Sequence, residues 1–226
     1  MLLLVVDTSG KQGSIALARG HENRSCEIIE SGALAGGMFS AQLVPQVASM
    51  LSKHGFAKQE LGAFVAVSGP GSFTGLRVGL AAIKGLAEVL ERPIAAVSLL
   101  EVVAASASAT GNVSAVLDAG REEIYVGEYD VSEKDPMMIS ENLMRREAFM
   151  QSGYSDRSAI VTPDKIVADA LRAKGLRFRE VENPSIASVA RIGWRKLLSG
   201  TTISPEALEA NYIGRSDSQI FSGAKP

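Results

Sequence analysis

The chain has 226 residues, of which 46% are hydrophobic and 21% charged, and its formal net charge is −2 at pH 7. This amount of apolar material supports a sizeable folded core, so the composition excludes an intrinsically disordered chain. A pI near 5.8 gives no excess positive charge for holding nucleic-acid phosphates, so a stand-alone nucleic-acid binder is not expected. The lone cysteine, Cys26, excludes an intrachain disulfide framework and a multi-cysteine zinc site.

The apolar start of the chain is too short for a secretion signal, because it ends at Asp7 and no basic residue precedes it. No later stretch is both long and apolar enough for a membrane span. We therefore expect a cytoplasmic protein without a membrane partner.

The first half of the sequence alternates apolar runs with glycine-containing breaks, a pattern typical of an α/β fold. The first two strands are predicted to form a hairpin that turns after Asp7. The first helix begins after the glycine pair at 36–37, and its Pro45 lies near the first turn, where proline is best tolerated. The predicted elements are strands 2–6, 14–18 and 25–33, helix 39–54, strand 63–67, helix 76–90 and strand 94–97.

The second half repeats this organisation. Asp118 follows an apolar strand and precedes small residues, as Asp7 does in the first half, which indicates two related α/β lobes facing one cleft. We divide the chain into lobes 1–108 and 109–226, with the tail from about 205 packing back on the first lobe. The predicted elements are helix 98–109, strands 113–117, 124–129, 160–161 and 177–181, and helices 163–174 and 185–198.

The most distinctive segment is a glycine-rich turn between a strand and a helix. Glycines release the backbone for a tight turn, and the start of the helix offers N–H groups to an anion. The segment is not a P-loop, since no Gly-Lys-Ser/Thr follows, and its glycine spacing is one residue too long for a dinucleotide-binding fingerprint. The alternative to anion binding is a turn with only a structural role, formed by Gly69, Pro70, Gly71 and Ser72.

The helix after this turn carries Gly75, Gly79 and Ala82 on one face. Glycine inside a helix costs about 1 kcal/mol relative to alanine, so Gly79 and Gly85 need a packing reason. Close packing within the monomer is one explanation, and a contact with another protein is the other. Our candidate partner interface combines residues of this helix and of helix 39–54: Ser40, Leu43, Val44, Val47, Gly75, Leu76, Gly79, Leu80, Ala82 and Ile83.

Residues for metal or peptidase chemistry are scarce. The chain has only His21 and His54, too far apart for a helical ligand pair, and no G-x-S-x-G motif. An aspartate on each lobe could orient Mg²⁺ or water beside nucleotide phosphates, but Asp118 is followed by no hydroxyl residue. We therefore expect no catalytic residue and no metal site, only a degenerate nucleotide cleft with candidates Asp7, Thr8, Ser9 and Asp118.

Two segments resemble the TsaB (YeaZ) family of the actin/Hsp70-like (ASKHA) superfamily: residues 67–79, VSGPGSFTGLRVG, and residues 6–9, VDTS. Residues 117–121 and 211–215 fit the family pattern less closely. The first helix lacks the family's frequent histidine, with Phe39 in its place, and the role of Arg215 in the altered closing motif stays open. The resemblance implies an α/β fold of two actin-like (RNase H-like) lobes, each a mixed sheet flanked by helices.

The resemblance also implies a function, that of the non-catalytic partner of TsaD in the complex that installs N6-threonylcarbamoyladenosine beside the anticodon of tRNA. The expected partners of this chain are a TsaD-like paralogue and a TsaE-like ATPase. In the absence of these partners the chain is expected to form a homodimer. It is expected to bind tRNA only through the complex. Helices 39–54 and 74–91 would form the contact face. No cofactor is expected beyond residual ATP or ADP binding at a subunit interface.

Two other functions stay open from the residues themselves. One is a weak ATP-binding hydrolase or phosphotransferase of the ASKHA type, which would use Asp7 and Asp118. The other is a glycoprotease of the M22 type, which the histidine count disfavours.

We predict that the isolated chain binds tRNA weakly, because phosphate contacts dominate non-specific affinity and this chain has no net positive charge. Fluorescence anisotropy with labelled tRNA at physiological salt measures this affinity. Sub-micromolar binding by the isolated chain would contradict the prediction.

Overall fold

The computed structural model describes residues 1–132 and 135–214. The chain forms two compact units, the first from Met1–Leu99 and Ser185–Asn211, the second from Leu100–Pro184 and residues 212–214. The chain therefore leaves the first unit after Leu99, returns to it at Ser185 and leaves it again after Asn211. The bounds of these units differ from those of the predicted lobes, 1–108 and 109–226, so the division into those lobes stays a prediction.

The first unit is built on a mixed five-stranded sheet. Its central strands are apolar on both sides, because helices cover both faces. The predicted hairpin is confirmed, since β1 and β2 pair antiparallel, while β1 with β4 and β4 with β5 pair parallel. In spatial order the strands are β3 (Cys26–Leu34), β2 (Gly13–Gly20), β1 (Leu2–Asp7), β4 (Leu61–Gly69) and β5 (Ile94–Ser98).

Three helices flank this sheet. Helices α1 (Phe39–Lys53) and α2 (Phe73–Leu90) pack side by side and share a core with Leu4 and Phe64. The last described helix of the chain, α7 (Ile186–Leu198), contacts strands of the same sheet. A Cβ on Gly193 of this helix would lie 2.2 Å from the Val65 Cγ1, so α7 lies directly on the sheet.

The second unit repeats the topology of the first. Its sheet also consists of an antiparallel meander continued by two parallel strands. In spatial order the strands are β8 (Asp135–Arg145), β7 (Glu123–Ser132), β6 (Gly111–Gly120), β9 (Ala159–Thr162) and β10 (Arg179–Glu180). The flanking helices are α3 (Leu99–Ala105), α4 (Arg146–Gln151), α5 (Tyr154–Arg157) and α6 (Lys165–Ala173). The predicted fold class, two α/β halves with mixed sheets and flanking helices, is confirmed.

Several short elements differ from the sequence-based prediction. The edge strand β8 was not predicted, because its consecutive exposed side chains Met137, Met138 and Ile139 do not alternate between core and solvent. Helices α4 and α5 and a 3₁₀ turn at Lys58–Glu60 were also missed. Within the described ranges, the structure contains no helix with the length and hydropathy needed to cross a membrane.

The small-residue face of α2 packs inside the monomer, which corrects the residue choice for the partner interface. A Cβ on Gly75 would lie 2.1 Å from the Thr8 carbonyl oxygen, and one on Gly79 would lie 2.1 Å from the Thr8 Oγ1. Ala82 is partly buried against the same core. The large apolar members of the predicted interface are buried as well: Leu43, Val47, Leu76, Leu80 and Ile83. Only Ser40 and Val44 of the predicted set are exposed.

This packing predicts opposite effects of alanine at two glycines of α2. Gly79→Ala gains about 1 kcal/mol of helix propensity but forces its methyl group into Thr8, so we expect a net destabilisation of about 2 kcal/mol. Gly85→Ala has no heavy atom within 4 Å of the new Cβ, so it should stabilise the chain by up to about 1 kcal/mol.

Differential scanning calorimetry of both variants tests the assignment. Equal or higher thermal stability of Gly79→Ala would show that the Thr8 contact does not limit the packing.

Candidate functional site

The loop after β1 is closed by its own side chains. The Asp7 Oδ1 accepts hydrogen bonds from the Ser9 backbone N–H at 2.9 Å and from the Ser9 hydroxyl at 2.5 Å. Thr8 and Ser9 are only 2% and 5% exposed. The first three candidates for a degenerate nucleotide cleft therefore form an Asx turn in which the Asp7 side chain bonds to Ser9, a common reason for aspartate at such positions.

The glycine-rich turn packs directly on this loop. The Ser72 backbone N–H donates to the Ser9 carbonyl at 2.7 Å, and a Cβ on Gly71 would lie 2.5 Å from the same oxygen. The Ser72 hydroxyl caps α2 by accepting a hydrogen bond from the Gly75 N–H at 3.3 Å. The turn thus brings the start of α2 onto the end of β1, and no larger residue fits at position 71 without a shift of the loop.

The other side of the turn is held by the segment that ends the first unit. The Asn211 backbone N–H donates to the Ser68 carbonyl at 2.8 Å. Gly69 has φ +143°, and a Cβ there would lie 2.7 Å from the Asn211 carbonyl oxygen, so glycine is required by both conformation and space. The Gly69–Pro70 peptide bond is cis. Arg215, four residues further along, lies outside the described residues.

In the second unit, Asp118 pairs with a carboxylate that the sequence analysis did not select. The Asp118 backbone N–H donates to the Asp164 Oδ2 at 2.6 Å. The pKa of Asp164 lies above its usual value, mainly because burial disfavours the charged carboxylate. The hydrogen bond from the Asp118 N–H opposes this rise, and the negative charge of Asp118 adds to it. Strands β6 and β9 are parallel neighbours, so residues following their ends meet at one edge of the sheet. The available signal was the Thr-Pro-Asp-Lys sequence, which places Asp164 at the N-cap of α6.

Neither histidine is part of a ligand cluster in the described ranges, where no group of three or more His, Cys, Asp and Glu side chains is arranged to hold a metal. The His54 Nε2 lies 2.5 Å from the Glu30 Oε2, and this contact joins the end of α1 to β3. The His21 carbonyl accepts a hydrogen bond from the Trp194 Nε1–H at 3.0 Å. Burial raises the pKa of the Cys26 thiol to about 11, which keeps it in the less reactive protonated form.

The outer faces of the adjacent helices α1 and α2 are exposed and carry mostly small residues. Val44 on α1 is 53% exposed and Val89 on α2 is 75% exposed. The intervening positions hold alanine, glycine, serine and proline, whose short side chains let another backbone approach closely. We call this surface the α1–α2 face; its exposed members include Ser40, Ala41, Val44, Pro45, Ala48, Ala81, Gly85 and Val89.

Comparison with known proteins gives consistent matches over most of the chain. The family model for TsaD, tRNA N6-adenosine threonylcarbamoyltransferase, matches residues 33–200. The tRNA threonylcarbamoyladenosine biosynthesis protein TsaB of Bacillus subtilis (strain 168) is 30% identical over 87% of this chain and 88% of its own. The Escherichia coli (strain K12) protein of the same name is 27% identical over 94% of both chains.

A solved structure supports the same fold. YeaZ from Pseudomonas aeruginosa superposes with a TM-score of 0.70 at 23% identity, covering 94% of this chain and 99% of that one. The family model carries the name of the transferase, whereas the relatives matched along nearly their whole length carry the name TsaB.

We predict negligible ATP turnover, because the Asp7 carboxylate already bonds to Ser9. We also predict no metal-dependent peptidase activity, because the chain has only two histidines, too far apart for a helical ligand pair. Phosphate release with and without Mg²⁺, and peptide cleavage with added Zn²⁺, measure these activities. Stoichiometric metal binding together with hydrolysis that Asp7→Ala abolishes would contradict the prediction.

Proposed function

The chain belongs to the TsaB (YeaZ) family, and on this premise we propose that it acts in forming N6-threonylcarbamoyladenosine in tRNA. In this proposal it is the non-catalytic partner that binds and activates a TsaD-like transferase. The observation that carries the proposal is the match to the B. subtilis protein along 87% of this chain, since that relative is named for this biosynthesis.

We assign the contact with the TsaD-like chain to the α1–α2 face. Val44 and Val89 supply exposed apolar area, and removing apolar area from water contributes about 25 cal/mol per Å². The small residues between them allow helix backbones to approach closely, so a partner helix pair could bury a large share of its surface there. Helices α1 and α2 are also packed on a rigid sheet, which lowers the entropy cost of presenting this surface.

The remaining partners follow from the same assignment. When alone, two copies would pair through the α1–α2 face as a homodimer, because a two-fold axis lets one self-complementary patch serve both chains. The TsaD-like chain would then compete with self-association. A TsaE-like ATPase joins this heterodimer in the proposal, and tRNA is bound through the complex, since the chain has a net charge of −2.

The second candidate function is a weak ATP-binding hydrolase or phosphotransferase, with residual ATP or ADP held at a subunit interface. It is favoured by one observation: Asp7 and Asp118 lie at or near the ends of corresponding strands, β1 and β6, of two sheets with the same topology. The local bonds of Asp7 to Ser9 favour the non-catalytic role instead.

Ala81→Glu tests the assigned interface. Ala81 is exposed on α2, and glutamate is a good helix former, so the variant should fold normally while placing a large charged group in the contact. We expect the affinity for the TsaD-like chain to fall about thirtyfold or more, which corresponds to a hot-spot loss of about 2 kcal/mol. Isothermal titration calorimetry measures the affinity, and thermal unfolding checks the fold.

Ala148→Glu is the matched control, because Ala148 is exposed on α4 of the second unit. Equal affinity of both variants and the unmodified chain would place the interface elsewhere. A threonylcarbamoyl-transfer rate that does not change when this chain is omitted would contradict the partnership itself.

A further inference from the structure

The second unit contains a cavity of about 330 Å³, and none of its lining residues belongs to the α1–α2 face or to the β1 loop. It lies beside the turn between β6 and β7, the start of α4 and the end of α6. Its volume is within the range of about 300–1,000 Å³ that is usual for small-molecule sites. Eight residues line it: Glu122, Arg145, Arg146, Glu147, Met150, Ala170, Ala173 and Lys174.

Three cations of this lining are available to a ligand. Within residues 1–132 and 135–214, the side chains of Arg145, Arg146 and Lys174 make no ion pair with a carboxylate. Arg172, two positions before Lys174, behaves differently: its guanidinium contacts Asp169 at 2.6 Å and also binds Glu180. The lining therefore holds three basic side chains against the two carboxylates of Glu122 and Glu147, a net charge of +1, and Arg146 is half-buried.

The tight turn between β6 and β7 fixes the position of Glu122 in the lining of the cavity. Arg121 and Glu122 both have left-handed backbones, with φ +54° and +63°, although neither is glycine. The Arg146 backbone N–H donates to the Glu122 carbonyl at 2.9 Å, which ties this turn to the start of α4. Positive φ at both central residues is the usual geometry of a two-residue turn between antiparallel strands such as β6 and β7. Here the turn places Glu122 beside the cations.

We propose that this cavity binds a nucleoside phosphate. The paired arginines offer planar forks of N–H donors that match phosphate oxygens, and Lys174 adds a third positive charge. Met150, Ala170 and Ala173 form an apolar wall suited to a base or sugar ring, and the two carboxylates accept hydrogen bonds from amino or hydroxyl groups. The phosphate belongs either to a free nucleotide or to a nucleotide within RNA. The proposal does not rest on the proposed function.

Calorimetric titration of the full chain with adenosine 5′-monophosphate, inorganic phosphate and adenosine tests the site. We expect the monophosphate to bind at least tenfold more tightly than adenosine, with an affinity that falls as salt is added. Arg145→Ala and Lys174→Ala should each weaken binding of the monophosphate at least tenfold. Both side chains are exposed, so neither change removes core packing.

Lys58→Ala is the matched control, since Lys58 is an exposed lysine of the first unit, and it should leave the affinity unchanged. A short single-stranded RNA separates the two sources of phosphate. Tighter binding of the RNA than of the monophosphate, lost in both cavity variants, identifies RNA; binding of the monophosphate alone identifies a free nucleotide. Unchanged affinity in Arg145→Ala and Lys174→Ala, equal affinity for adenosine and its monophosphate, or no saturable binding overturns the proposal.

Discussion

The first unit depends on one steric constraint, the contact between the β1 loop and the first turns of α2. Thr8 occupies the space that a Cβ on Gly75 or Gly79 would need, so α2 can lie this close to β1 only with glycine at both positions. The same approach brings the Ser72 N–H to the Ser9 carbonyl. The spacing of the glycines therefore follows from packing, and a substitution there would separate the helix from the sheet.

The sequence predicted most of the architecture because its strands and long helices are strongly patterned. Apolar runs located the central strands, and helical spacing located α1, α2, α6 and α7. The edge strand β8 escaped because exposed methionines remove its alternation. The direct packing of α7 on the sheet of the first unit could not be predicted either, since Gly193 and Val65 are far apart in the sequence and no local pattern encodes their contact.

The candidate site was predicted less completely. The sequence around a residue indicates its place in a strand or turn, but it does not indicate which distant residues contact it. Asp7 and Asp118 were found from their places after apolar strands, but the bonds that hold them depend on turns and neighbouring strands. Asp164 comes beside Asp118 only because β6 and β9 pair parallel. Helical periodicity placed Gly75 and Gly79 on one face of α2, yet the same pattern fits a core face and an interface face.

In the proposed function, the two faces of α2 separate folding from association. Residues Gly79 and Ala81 are two positions apart, or about 200° around a helix, so one points to the sheet while the other is exposed. The contact with Thr8 limits Gly79 to a residue without a side chain, whereas Ala81 is exposed and, in the proposed function, is limited by the partner that packs on it. The glycine-rich segment is thus explained by folding, whereas in the proposed function the partner contacts neighbouring exposed residues such as Ala81. Because these requirements are met on opposite sides of one helix, a change in binding partner would not require a change in the core.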